Sequence, residues 1–192
     1  MTKNKFFEKY FNDLTNHFFE DIQNNEKLVS ISKIFKSTHN LKKKIIFVGN
    51  GGSAAMASHV SVDLAKNANI RAINFNEADL ITCLSNDYGH ENWMKAALEI
   101  YCDKGDVVVL ISTSGQSQNI INAAKWCLKN NIKLITLTGR KKTNKLKSIN
   151  KVGINLWVNS NAYNQVEMVH HVWLLAVIDY LIGKVVYEPN KN

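Results

Sequence analysis

Apolar residues recur at spacings of three and four from residue 4 to residue 39, which predicts helix. Phe6, Phe7, Tyr10, Phe11, Leu14, Phe18, Phe19 and Ile22 form the first stripe. Leu28, Ile31, Ile34 and Phe35 resume it after a polar break, so the hinge is expected at Asn24-Asn25. So wide a stripe either caps its own core or faces another subunit. After residue 40 the pattern changes. Continuous apolar runs at 45–49, 71–74, 106–111, 132–138 and 152–158 alternate with amphipathic runs at 53–66, 77–85, 90–102, 117–130 and 162–183. Buried strands alternating with helices make a parallel sheet covered on both faces. The single proline, Pro189, lies in the tail, so no proline-rich linker divides the chain. One α/β domain over 1–192 is expected, with a helical segment at 1–39 and an α/β core at 40–185.

With 192 residues, 45% of them hydrophobic, the chain suits one globular core. No apolar run is read as long enough to cross a bilayer, and no membrane partner is expected. Lys3, Lys5, Glu8 and Lys9 interrupt the first apolar residues too early for a signal peptide, so a cytoplasmic location is expected. Cys83, Cys102 and Cys127 are odd in number, dispersed, and set in apolar segments, which suggests packed thiols rather than a disulfide framework or zinc ribbon. The net charge is +8, much of it local to Arg140, Lys141, Lys142, Lys145, Lys147 and Lys151, with a second run at Lys42–Lys44. No aromatic residue interleaves the first run and no nucleic-acid motif is present, so a solvated face or steering of an anionic metabolite is expected.

Two turns carry candidate chemistry. The strand Ile45–Val48 runs into Gly49-Asn50-Gly51-Gly52-Ser53, where glycines permit close backbone approach and Ser53 can cap the next helix or donate. The turn fits neither a dinucleotide fingerprint nor a P-loop. The strand Val107–Ile111 runs into Ser112-Thr113-Ser114-Gly115-Gln116-Ser117, placing four hydroxyls around a helix N-terminus, a cradle for phosphate. On the first helix His59 and Asp63 are four apart, hence on one face, and can share a proton or a metal.

Gly49–Ser53 with His59, Asn86-Asp87-Tyr88-Gly89, Ser112–Ser117 and Leu137-Thr138-Gly139 together resemble the sugar isomerase (SIS) domain, and within it phosphoheptose isomerases. The resemblance implies a three-layer α/β/α sandwich on a mostly parallel five-stranded sheet, a homotetramer with sites at subunit boundaries, and a phosphorylated sugar as ligand. It implies interconversion of sedoheptulose 7-phosphate and D-glycero-D-manno-heptose 7-phosphate for surface-polysaccharide (lipopolysaccharide) synthesis. The alternative it leaves is a non-catalytic sugar-phosphate sensor or a protein binding the replication initiator DnaA. Carried over residue by residue, Asn50, Gly51, Gly52, Ser53, Asn86, Asp87, Ser112, Thr113, Ser114 and Ser117 bind substrate. His59, Asp63 and Glu167 are the implied ligands of a zinc ion. Asp63, Glu167, His170 and His171 are the acid/base candidates. Two departures stand out. Asp63 replaces the family's glutamate, and Leu175 stands where the family places a histidine. Isomerisation needs a base for a carbon-bound proton and an acid for the sugar oxygen, so the substitute for that histidine matters.

Overall fold

Five apolar segments pair into one all-parallel sheet, in the spatial order 72–74, 45–49, 107–112, 133–138 and 154–157. The structure is a computed structural model that describes residues 3–19, 22–151 and 153–186. The strands are β1 (Ile45–Gly49), β2 (Ala72–Asn74), β3 (Val107–Ser112), β4 (Lys133–Thr138) and β5 (Ile154–Trp157). The helices are α1 (Lys3–Phe19), α2 (Ile22–Asn40), α3 (Gly52–Lys66), α4 (Ala78–Tyr88), α5 (Trp93–Tyr101), α6 (Gln118–Lys129), α7 (Lys145–Ile149) and α8 (Tyr163–Ile182).

Because successive strand side chains point to opposite faces, each central strand feeds two cores. Ile45, Phe47, Val107, Val109 and Ile111 pack with α2, α3 and α8. Ile46, Val48, Val108 and Leu110 pack with α4, α5 and α6. This is the three-layer sandwich expected. Buried Asp106 ties the amino edge: its carboxylate accepts from the backbone N–H of Lys44 at 2.9 Å and of Asp103 at 2.8 Å, and meets Lys44 Nζ at 2.7 Å.

Three expectations are corrected. Asn24 and Asn25 lie inside α2 rather than between helices, and Asn24 is buried rather than exposed at a hinge. The basic loop contains a short helix, α7, because Asn144 caps it by accepting from Lys147 N–H at 2.9 Å. At 20 residues α8 is long and apolar enough, by length and composition, to cross a membrane. It packs instead as a core helix through Val166, Val169, Trp173, Leu174, Val177 and Ile178. Pro189 lies outside the described residues.

The strand order has one consequence for ligands. The chain leaves β1 for β2 on one side and returns to β3 on the other, so the two connections diverge at the carboxyl ends of β1 and β3. That divergence opens the crevice in which α/β sheets of this order hold ligands.

Candidate active site at the switch point

Both candidate loops leave the sheet at that crevice. Gly51 adopts a left-handed φ of 53° before the first turn of α3, a conformation that favours glycine. Ser53 is turned inward, 3% exposed and packed over Gly49, so it supports the turn rather than presenting a hydroxyl as expected. On the other loop Ser112 Oγ accepts from Gly115 N–H at 3.2 Å and Ser114 Oγ from Gln116 N–H at 3.2 Å. Ser117 precedes α6 with extended backbone and makes no side-chain cap bond; Asn119 Oδ1 takes the Ile120 N–H at 2.9 Å, which leaves the N–H groups ahead of Ile120 to face an anion. The Thr113 hydroxyl is buried without a protein partner. Leaving it so costs about 1–3 kcal/mol, which a ligand oxygen would offset. The loop of α7 buttresses the turn: Leu146 N–H donates to the Gly115 carbonyl at 3.0 Å, and Gly139 N–H to that of Thr113 at 2.9 Å. The Asn144 side chain fills the space where a Cβ on Gly115 would sit.

Across the crevice the Asn50 and Asn119 side chains bond each other twice, at 3.0 and 2.9 Å, joining the two loops. On the other flank the Glu167 carboxylate lies directly over Gly52, in the space a Cβ would need. Burial among neighbouring groups raises the Glu167 carboxyl above its ordinary range. One turn further along α8, His171 Nε2 is 3.0 Å from His59 Nδ1, and His59 Nε2 is 3.2 Å from the Asp63 carboxylate. With His59 donating from Nε2 to Asp63, its Nδ1 accepts from His171, and His171 keeps a free lone pair on Nδ1. Burial first, then the neighbouring His59, lowers the His171 pKa and favours that neutral form. A continuous strip results: the α6 N-terminus, Asn50–Gly52, Glu167, and the Asp63–His59–His171 row.

Other expectations fare differently. His170 is not in this strip. It is fully buried, donates from Nε2 to the Thr138 carbonyl at 3.0 Å, and burial lowers its pKa to about 4. The two adjacent histidines are separated by about 100° around the helix, one to the core and one to the groove. His171, by contrast, is one turn before Leu175 on the same helical stripe as Glu167. Asn86 and Asp87 end α4, exposed and bonded to each other at 3.0 Å. The sequence reading missed Asn119 and His90, whose Nε2 is 3.4 Å from the Asn119 amide. Asn119 sits in the first turn of α6, directly after the hydroxyl-rich loop, and that position was the available signal.

Among the described residues no three His, Cys, Asp or Glu side chains converge as a metal site. His59 engages Asp63 and His171 through its two nitrogens, while Glu167 lies over Gly52. His59 and Asp63 thus belong to a hydrogen-bonded row with His171, and Glu167 lies over Gly52 outside that row, so the three do not form a cage in this arrangement.

A family profile described as SIS domain matches residues 7–139. The chain is 36% identical over 153 residues to the phosphoheptose isomerase of Aliarcobacter butzleri, covering 76% of this chain and 78% of that one. Its fold matches the solved phosphoheptose isomerase GmhA of Neisseria gonorrhoeae with a TM-score of 0.82 at 26% identity, over 94% of this chain and 99% of that one. It matches the structure of a Francisella tularensis phosphoheptose isomerase with a TM-score of 0.85 at 24% identity, over 96% and 100%.

Proposed function

The chain belongs to the SIS domain family, and we propose that it isomerises sedoheptulose 7-phosphate to a heptose 7-phosphate at the β1/β3 crevice, for surface-polysaccharide synthesis. Relatives and a solved neighbour named phosphoheptose isomerase support the substrate class. One observation carries the reading: a phosphate cradle and a pair of proton-transfer groups are joined by Asn50–Gly52 into one strip.

The phosphate sits on the α6 N-terminus among Ser112, Thr113, Ser114 and Ser117, where backbone N–H groups and hydroxyls need no arginine. This end holds the reacting carbons near Glu167 and His171. The free Nδ1 of His171 takes the carbon-bound proton, and the charge gained is spread along His59 to Asp63. Glu167, whose raised pKa keeps it protonated to higher pH, donates to the sugar oxygen. The proton then returns to the neighbouring carbon and Glu167 recovers its own, so the isomerisation is redox-neutral and regenerates the site. His171 supplies the group that the family locates at Leu175. Subunit assembly is part of the reading, because Phe6, Phe7, Phe11 and Phe19 on α1 stand 50–75% exposed.

The test is proton NMR of purified protein with sedoheptulose 7-phosphate in D2O. Expected are a new aldose signal and deuterium incorporated at C2 of the aldose. Binding without turnover would replace the enzyme with a sugar-phosphate sensor, and the absence of both would remove the assignment.

A further inference from the structure

Asn119 has no part in the reaction above, yet its side chain makes four hydrogen bonds at the switch point. It is the second residue of α6 and 3% exposed. Its Oδ1 accepts from Asn50 Nδ2 at 3.0 Å and from the Ile120 N–H at 2.9 Å. Its Nδ2 donates to Asn50 Oδ1 at 2.9 Å, and its second hydrogen is directed at His90 Nε2, 3.4 Å away. Asn50 belongs to the β1–α3 loop and His90 to the turn between α4 and α5, so one buried amide joins three elements around the crevice.

The sheet does not require this junction. β1 is already paired with β3 along its whole length, from Ile45 opposite Val107 to Gly49 opposite Ile111. What the amide fixes is the direction of two side chains at the open end. Asn50 Oδ1 is held by a donor and Asn50 Nδ2 by an acceptor, so its orientation is set. Because His90 accepts at Nε2, its proton lies on Nδ1, and this exposed ring presents an N–H donor.

Resting on the isomerase reading, we propose that Asn119 is a positioning residue that couples the phosphate helix to the sugar end of the site, acting through Asn50. In the same arrangement His90 contacts the sugar chain, donating from Nδ1 to a hydroxyl oxygen. A phosphate seated at the α6 N-terminus thus fixes, through the residue beside it, the groups that align the reacting end.

Full-length wild type and the variants Asn119→Ala, Asn50→Ala, Asn50→Ala/Asn119→Ala, His90→Ala and His90→Gln test this by steady-state kinetics on sedoheptulose 7-phosphate and calorimetry with inorganic phosphate. Asn119→Ala is expected to lower kcat about tenfold or more while phosphate affinity stays within about twofold. In the Asn50→Ala background the same change should cost less than about twofold, since its route is already cut. His90→Ala should raise KM for the sugar, with phosphate affinity unmoved, and His90→Gln should recover part of the loss. Asn119→Ser, which keeps a hydroxyl for Asn50, serves if the alanine variant fails to fold. Multiplicative losses in the double variant, or a phosphate-affinity loss equal to the kcat loss, would overturn the coupling. An unchanged KM in His90→Ala would overturn the sugar contact. A wild type that binds phosphate and turns over while these arms fail sinks only this inference; a wild type that does neither sinks the isomerase reading beneath it.

Discussion

His59 and His171 meet edge to face across the groove between α3 and α8, with ring centroids 4.9 Å apart and planes at 84°. Their facing nitrogens are 3.0 Å apart, and the far nitrogen of His59 reaches Asp63. Two residues 112 positions apart in sequence thereby become one hydrogen-bonded unit.

The first prediction concerns that unit. His171→Ala should lower kcat by about 10²–10⁴-fold, the usual contribution of a positioned general base. His59→Ala should cost less, because it removes only the partner that orients and stabilises the base. Neither should shift the melting temperature greatly, since neither ring is fully buried. A kcat for His171→Ala within threefold of wild type would exclude it as the base.

The second concerns Gly52. A Cβ there would occupy the space of the Glu167 carboxylate, so Gly52→Ala must displace it. Gly52 is the first residue of α3 and has no positive φ, so its backbone conformation accepts alanine. Activity should therefore fall about tenfold or more in a protein no less folded, as judged by kcat beside thermal unfolding.

A third follows from His170. Its folded pKa lies near 4 because burial disfavours the charged ring, whereas the unfolded ring titrates near 6.5. Between these values the unfolded chain binds the extra proton, so stability contributed by the neutral ring is present above pH 6.5 and lost as pH falls toward 4. The whole loss is about 3 kcal/mol. His170→Met should flatten this slope in unfolding free energy measured from pH 7 to pH 4; an unaltered slope would contradict the buried neutral ring.

Thiol reactivity provides a fourth. Cys83 is exposed, Cys102 half-buried and Cys127 buried. Burial pushes the Cys102 thiol up to about 11, and that of Cys127 upward more strongly still. Alkylation at pH 8 followed by peptide mass spectrometry should label Cys83 first and Cys127 only on unfolding.

Charge gives the last. Residues 107–166 contain no Asp or Glu and nine basic residues: Lys125, Lys129, Lys133, Arg140, Lys141, Lys142, Lys145, Lys147 and Lys151. Arg140, Lys141 and Lys142 lie in the loop that buttresses Gly115, beside the Ser112–Ser117 turn. Reversing Lys141 and Lys142 to Glu should lower kcat/KM several-fold at low salt, an effect that shrinks toward 0.5 M salt. Equal losses at both salt concentrations would speak against steering.

What the sequence determined by itself follows from local rules. Strand runs such as Val107–Ile111 are apolar on both faces because helices cover both, and that pattern marks a parallel sheet without any coordinates. The hydroxyls of Ser112–Ser117 were legible because a strand emptying into a helix fixes where they stand. The helical place of Asn24 was not legible, since the polar residue that suggested a hinge lies inside α2 and is buried against the fold. Nor could spacing distinguish His170 from His171: adjacent residues on a helix carry identical local signals, and only the partner surfaces, Thr138 on one side and His59 on the other, assign one to the core and one to the groove. The pairing of Asn50 with Asn119, 69 residues apart, likewise exists only where the sheet brings the ends of β1 and β3 together. Periodicity reports what each element buries; which chemical groups meet depends on how the elements are laid side by side.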